Sequence, residues 1–278
     1  MLPILAGCGD QPTPDTAGTS PPTTFTTATT VPVTTSGRSY DLATGADDVV
    51  ISVRYDGGFA PVGAIFARTP VTLIAGDGRA LTTGPVPEIS PGPLLPNVQQ
   101  RSITPEAIQQ LTAMADRLGL LADVAYRPND LVVDAPDTIV DITVGGRTFH
   151  HDAYALGIDD KEADAARQRL LQFVTALSDL EGTVGADALG PERPFRPDRY
   201  LIQAVEIGLA TSTTDVAPTV VPWPADAPVR LADATTCAEL PASFAAPLFE
   251  DANARTYFAD AGATYYVAAV PQVPGRTC

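Results

Sequence analysis

The chain has 278 residues, of which 45% are hydrophobic, and this suits one or two domains with a substantial core. Its formal net charge is −16, so phosphate backbones and anionic lipid headgroups repel it, and we expect no nucleic-acid partner. Lys161 is the only lysine, which excludes most lysine-based catalysis. The sequence also lacks an apolar run of about eighteen residues, the length that a transmembrane helix needs.

The N-terminus carries a candidate targeting signal. Leu5-Ala6-Gly7-Cys8 resembles the lipobox of bacterial lipoproteins, in which the cysteine thiol receives a diacylglycerol and the signal is cut just before it. A secretory signal has a basic segment and about 7–15 apolar residues before its cleavage site, whereas only Met1–Gly7 precede Cys8 here. A start codon further upstream would supply the missing half. The resemblance implies that residues 1–8 end a truncated lipoprotein signal and that a lipid on Cys8 anchors the protein to the outer face of the cell membrane.

Residues 9–45 are rich in Thr, Pro, Ser, Gly and Ala. Such a composition buries too little apolar surface to offset the entropy of ordering the chain. We expect a disordered Thr/Pro-rich linker here, followed by one folded domain over residues 46–278. A flexible linker of this kind lets the domain clear the membrane surface.

Runs of β-branched residues predict several strands in the first part of the domain. Four segments are expected before the first helix, at residues 48–55, 63–68, 71–75 and 80–82. The turn Gly76–Arg79 joins the last two as a hairpin, because Asp-Gly readily adopts the positive φ angles of a tight turn.

The proline-rich loop that follows, residues 84–97, carries the apolar residues Ile89, Leu94 and Leu95. A stiff loop with exposed apolar side chains loses little entropy on binding, so these three residues are a candidate partner-binding site. The alternative is that they pack onto the sheet.

Two helices with apolar stripes are predicted, one between Thr104 and Gly119 and one over residues 160–180. Thr104 is the expected N-cap of the first helix, and Pro105 suits its first position. Between the helices, Gly145-Gly146 joins strands 138–144 and 147–154 into a hairpin.

This hairpin carries the two histidines of the chain, His150 and His151, followed by Asp152. Adjacent residues on a strand point to opposite faces, so the two imidazoles cannot easily bind one ion. The three residues are therefore weak metal candidates, and we expect no metal and no cofactor. A histidine-dependent catalytic site would have to use this hairpin.

Further strands are expected at residues 200–209 and 264–270, with a short helix near residues 246–254. Neighbouring hairpins that do not alternate one-for-one with helices predict an α+β fold, mostly antiparallel sheet with the two main helices packed on it. Three segments, Tyr55–Phe59, Gly76–Arg79 and Pro91–Asn97, resemble secreted actinobacterial proteins of uncharacterised function. That resemblance implies no activity and no site residues.

Cys237 and Cys278 remain as a pair once Cys8 is assigned to the lipid. We expect a disulfide between them, formed in an oxidising compartment, which would stabilise the fold by roughly 4 kcal/mol. Three unrelated thiols are the alternative.

Nucleophile elbows, zinc-protease motifs and nucleotide-binding glycine loops are absent from the sequence. The first hypothesis is therefore a lipid-anchored envelope protein whose domain binds an envelope protein or wall component without catalysis. The alternative is an envelope hydrolase that acts through scattered carboxylates or the His150/His151 hairpin.

Overall fold

The computed structural model describes residues 38–60, 63–129, 132–158, 164–207 and 218–278. Gly37–Cys278 form one compact unit. Residues 1–37, which include Cys8 and most of the predicted linker, lie outside the described residues. None of the helices described is long and apolar enough to cross a membrane.

A seven-stranded sheet forms the first half of the unit, with every neighbouring pair antiparallel. Its strands are β1 (Val49–Gly57), β2 (Thr72–Ala75), β3 (Arg79–Thr83), β4 (Val98–Ser102), β5 (Pro136–Val144), β6 (Arg147–Tyr154) and β7 (Arg193–Pro194). Their spatial order is β6-β5-β1-β2-β3-β4-β7, which places β1 near the middle of the sheet.

The two main helices cover the inner face of this sheet, as predicted. They are α1 (Pro105–Arg117) and α2 (Ala165–Ser178), and a short α3 (Leu180–Val184) follows. The Thr104 side chain caps α1 by accepting from the backbone N–H of Ala107. Leu111 on α1 and Phe173 on α2 are fully buried against apolar side chains of β1 and β5, and this forms the larger core.

A five-stranded sheet forms the second half, in the order β10-β8-β12-β11-β9. Its strands are β8 (Arg199–Glu206), β9 (Thr219–Pro222), β10 (Ala238–Pro241), β11 (Thr256–Asp260) and β12 (Ala263–Pro271), and α4 (Ala242–Phe249) packs beside them. Trp223, Phe249 and Phe258 meet in the second core, with the Trp223 and Phe258 rings edge to face at 5.5 Å. Among the strands that the structure describes, only β9 and β11 pair in parallel.

The C-terminal segment after β12 joins the two halves. Val273 packs against Leu73 and Leu81 on the outer face of the first sheet. Gly275 then crosses β1 so closely that a Cβ atom would lie 2.7 Å from Val49 Cγ2, and its φ is +74°. The segment therefore partly covers the outer face of β1, where a cleft forms.

The α+β class with mostly antiparallel sheets is confirmed, and some segments differ from the sequence prediction. Residues 63–67 form turns instead of a strand, since Gly63 has a φ of +76° and the N–H of Ala67 bonds back to its carbonyl. The short helix lies at Ala242–Phe249, ahead of its predicted range. The second helix is described from Ala165, while its predicted start at residues 160–163 lies outside the described residues.

Residues 38–45, which composition assigned to the linker, also differ from the prediction. Tyr40 is buried, and its backbone N–H and C=O exchange two hydrogen bonds of 2.8 Å with the Gln109 side chain on α1. Its hydroxyl donates to Asp116 at 2.8 Å. This segment therefore belongs to the folded unit, and a single aromatic anchor in a polar stretch is a weak sequence signal.

Candidate functional site

His151 lies on the inner face of β6 and is fully buried. Its Nε2 atom lies 2.8 Å from the backbone oxygen of Leu120, which can only accept, so Nε2 carries the proton. Its Nδ1 atom, 2.7 Å from the Tyr126 hydroxyl, accepts in turn. Burial lowers the pKa of His151, and burial raises the pKa of Tyr126 to about 12. Both ring nitrogens are engaged, so His151 is a structural group.

His150 lies on the opposite, outer face and is exposed. Its Nδ1 atom is 2.7 Å from Oδ1 of Asp141, which stands directly across the strand pair on β5. Arg54 of β1 binds the other carboxylate oxygen. Partial burial raises the pKa of Asp141, but the hydrogen bonds from His150 and Arg54 outweigh it and bring the pKa below its ordinary value. Asp141 is therefore an ionised carboxylate shared by two donors.

Asp152, the third weak metal candidate, is exposed on β6. It lies beside Asp137, whose pKa is raised by burial and by the charges of Asp152 and Asp56. Across the described ranges, no three His, Cys, Asp or Glu side chains are placed to hold a metal ion.

In the loop of residues 84–97, Leu94 and Leu95 follow the alternative prediction and pack inward. Leu94 is buried, and its N–H donates to the Ala252 carbonyl at 3.0 Å. Leu95 packs against the same core as Trp223. Of the three predicted contact residues, only Ile89 is exposed, at 62%. Leu94 and Leu95 pack inward because burying two large apolar side chains stabilises the fold more than a solvated loop does.

The predicted disulfide is present: Cys237 and Cys278 are joined, with their Cα atoms 5.4 Å apart. It fixes the end of the C-terminal segment just before β10. Cys8, the predicted lipidation site, lies outside the described residues.

A cleft of about 830 Å³ opens on the outer face of β1. Its walls come from β1, from residues 65–70 and from residues 273–277, with Asp141 of β5 at one side. The volume falls within the range of small-molecule sites, about 300–1,000 Å³. We take this cleft as the candidate site, because it is concave and brings charged side chains from distant parts of the chain together.

Three arginines line the cleft among the described residues, namely Arg54, Arg68 and Arg276. Arg54 is paired with Asp141. The guanidinium of Arg276 donates to the carbonyl of Arg68 at 2.6 Å and also to that of Phe66, and it stands 5.3 Å from the Phe66 ring centroid. Burial lowers the pKa of Arg276. The cleft thus holds cationic groups in a partly desolvated setting.

Sequence reasoning missed this site. Arg68 and Arg276 are 208 residues apart and belong to no motif, so only the fold brings them together. Compared with family models, curated proteins and solved structures, the chain shows no match. Any function of the cleft therefore has to be inferred from the side chains that line it.

Proposed function

We propose that the chain is an extracytoplasmic, lipid-anchored envelope protein whose folded domain binds another envelope component without catalysis. The observation that carries the proposal is the arrangement of its three cysteines. Two of them, Cys237 and Cys278, form a disulfide, and disulfides persist in oxidising compartments outside the cytoplasm. Cys8 is the cysteine that remains, in a sequence that resembles a lipobox.

Binding is favoured over hydrolysis by the state of the titratable groups. His151 uses both ring nitrogens within the core, and Asp141 is shared between His150 and Arg54. The cleft, in contrast, offers a concave surface of ligand size. We infer that the cleft, instead of the loop of residues 84–97, is where the domain binds its partner.

A hydrolase is the second candidate, since one contact favours it. The Asp141 carboxylate holds the exposed His150 ring at 2.7 Å, as a carboxylate orients a general base in hydrolase triads. Two hydroxyls on the same strand pair, those of Thr143 and Thr148, bond to each other at 3.0 Å.

The anchoring half is tested by metabolic labelling with an alkyne fatty acid. The full chain, expressed with its native upstream sequence in a lipoprotein-processing bacterium, should incorporate the label and partition into detergent. Cys8→Ala should lose both properties. Cys278→Ala is the matched control, because it removes a cysteine and the disulfide but keeps the lipobox, and it should still be labelled. Equal labelling of Cys8→Ala and the unaltered chain would overturn the anchor.

A further inference from the structure

The cleft on β1 contains guanidinium groups that, among the described residues, make no hydrogen bond to a carboxylate. Arg54 is excluded from this set because Asp141 compensates its charge. Arg68 and Arg276 remain, on two cleft-lining segments that contact each other where Arg276 donates to the Arg68 carbonyl.

Arg276 is half-buried, and its hydrogen bonds go to the neutral carbonyls of Phe66 and Arg68. Backbone carbonyls satisfy N–H groups but leave the net charge of the guanidinium in place. A charge that is partly removed from water without a counter-ion is unfavourable, and an anion placed beside it gains from the same low dielectric.

The Arg68 guanidinium has an unsatisfied hydrogen-bond donor. Its Nη1 atom is shielded from solvent and has no hydrogen-bond partner among the described residues. It forms an ion pair with Oδ1 of Asp56 at 3.8 Å, which is beyond hydrogen-bond distance. Shielded donors are nearly always paired, so this atom indicates a group that completes its contacts with something else.

Four aspartates also line the cleft, and none of them makes a hydrogen bond to Arg68 or Arg276. Asp141 binds Arg54 and His150, Asp48 accepts from the N–H of Gly45, and Asp56 accepts from the N–H of Gly57. Asp47 also lines the cleft. None of these four is within hydrogen-bond distance of the Arg68 or Arg276 guanidinium.

We propose that the cleft binds an organic anion, which places a carboxylate or phosphate group between Arg68 and Arg276. The planar guanidinium recognises either oxyanion with two parallel hydrogen bonds. The apolar part of the ligand lies against Ile65, Pro70 and Val273, which line the same cleft. This inference deepens the proposed binding function and rests on it, since it names the ligand class of the same site.

Isothermal titration calorimetry on the full chain tests the proposal with three probes of equal chain length: octanoate, octyl phosphate and neutral octanol. The unaltered protein should bind at least one anion with a Kd at or below the millimolar range and should bind octanol at least tenfold more weakly. The stronger of the two anions identifies the oxyanion chemistry. Binding should weaken as salt rises from about 0.05 to 0.5 M, because part of the attraction is screened.

Arg68→Gln should weaken anion binding at least tenfold, because it removes the guanidinium charge of residue 68. The backbone carbonyls that accept hydrogen bonds from Arg276 are kept in this variant. Arg79→Gln is the matched control, because Arg79 pairs with Asp77 in the β2–β3 turn and does not line the cleft, and it should change the Kd less than twofold. Arg276→Gln should act like Arg68→Gln, with circular dichroism to check that it folds.

Absence of binding by both anions up to about 10 mM, equal binding of octanol, or an unchanged Kd in Arg68→Gln would each overturn the anion site. These outcomes are separate from the failure of the proposed anchor, because fatty-acid labelling of Cys8 does not depend on the cleft. Loss of labelling with retained anion binding would overturn the anchor alone.

Discussion

The two faces of the β5–β6 hairpin place neighbouring histidines in opposite environments, one buried and one exposed. On the inner face, His151 is enclosed by Leu120 and Tyr126 and is held neutral. On the outer face, His150 stands in water beside an ionised Asp141. A shift of one residue along a strand therefore decides whether a polar side chain stabilises the core or remains available to a ligand. The helices close one face, whereas the C-terminal segment covers only part of the other and leaves the cleft.

The largest expected contrast between the faces is in packing. Phe173→Ala on α2 removes a fully buried ring from the inner face and should lower the free energy of unfolding by about 3–5 kcal/mol. Thr148→Ala on the outer face, where the side chain is exposed, should cost less than about 0.5 kcal/mol. Denaturation in guanidinium chloride measures both. Similar losses in the two variants would contradict the assignment of the core to the inner face.

The second contrast is in pH dependence. Burial lowers the pKa of His151 in the fold below the ordinary value of 6.5, so the unfolded chain binds the proton more tightly. Its contribution to stability is complete above about pH 6.5 and is lost as the pH falls through the lowered value. His151→Gln should remove this decline, while His150→Gln on the outer face should leave it in place. Urea midpoints between pH 7.5 and 5 give the measurement.

The smallest contrast concerns the outer-face carboxylate. Asp141→Asn removes the charge that holds Arg54 and His150 and should cost about 0.5–1 kcal/mol, less at high salt. Because the pKa of Asp141 is lowered, this part of the stability is present above about pH 4 and is lost in more acidic solution. Asp123→Asn, at a highly exposed pair with Arg147, is the control and should have no measurable effect.

The same variant distinguishes the two candidate functions. If the domain only binds, neither the unaltered chain nor Asp141→Asn should turn over envelope material. If His150 is a general base oriented by Asp141, the substitution should reduce turnover by orders of magnitude while the fold persists. Turnover by the unaltered chain that disappears in Asp141→Asn would favour the hydrolase.

Much of the fold could be predicted from local chemistry. Gly145-Gly146 and Asp77-Gly78 mark hairpins because their glycines adopt positive φ angles, and each turn is found where expected. Thr104-Pro105 marks the start of α1 for a similarly local reason. The two sheets follow from runs of β-branched residues, which occur in strands whatever their partners are.

What could not be predicted depends on long-range contacts. The strand β4 has the polar sequence Val-Gln-Gln-Arg-Ser and forms because β3 and β7 flank it. The parallel pairing of β9 with β11 has no local signature. The proline-rich sequence around Leu94 and Leu95 gives no local sign of the core against which these two residues pack. The Arg68–Arg276 pair is of this kind too, since neither residue lies in a recognisable motif.

The Cys237–Cys278 bond has a mechanical consequence. Because Cys278 is bonded to Cys237, the segment of residues 273–277 is covalently attached on both sides, through β12 at one end and through Cys237 beside the edge strand β10 at the other. The part of the cleft wall that holds Arg276 therefore cannot separate from the fold at one end while the bond is intact. Reduction of the bond is expected to loosen this wall before it affects either core.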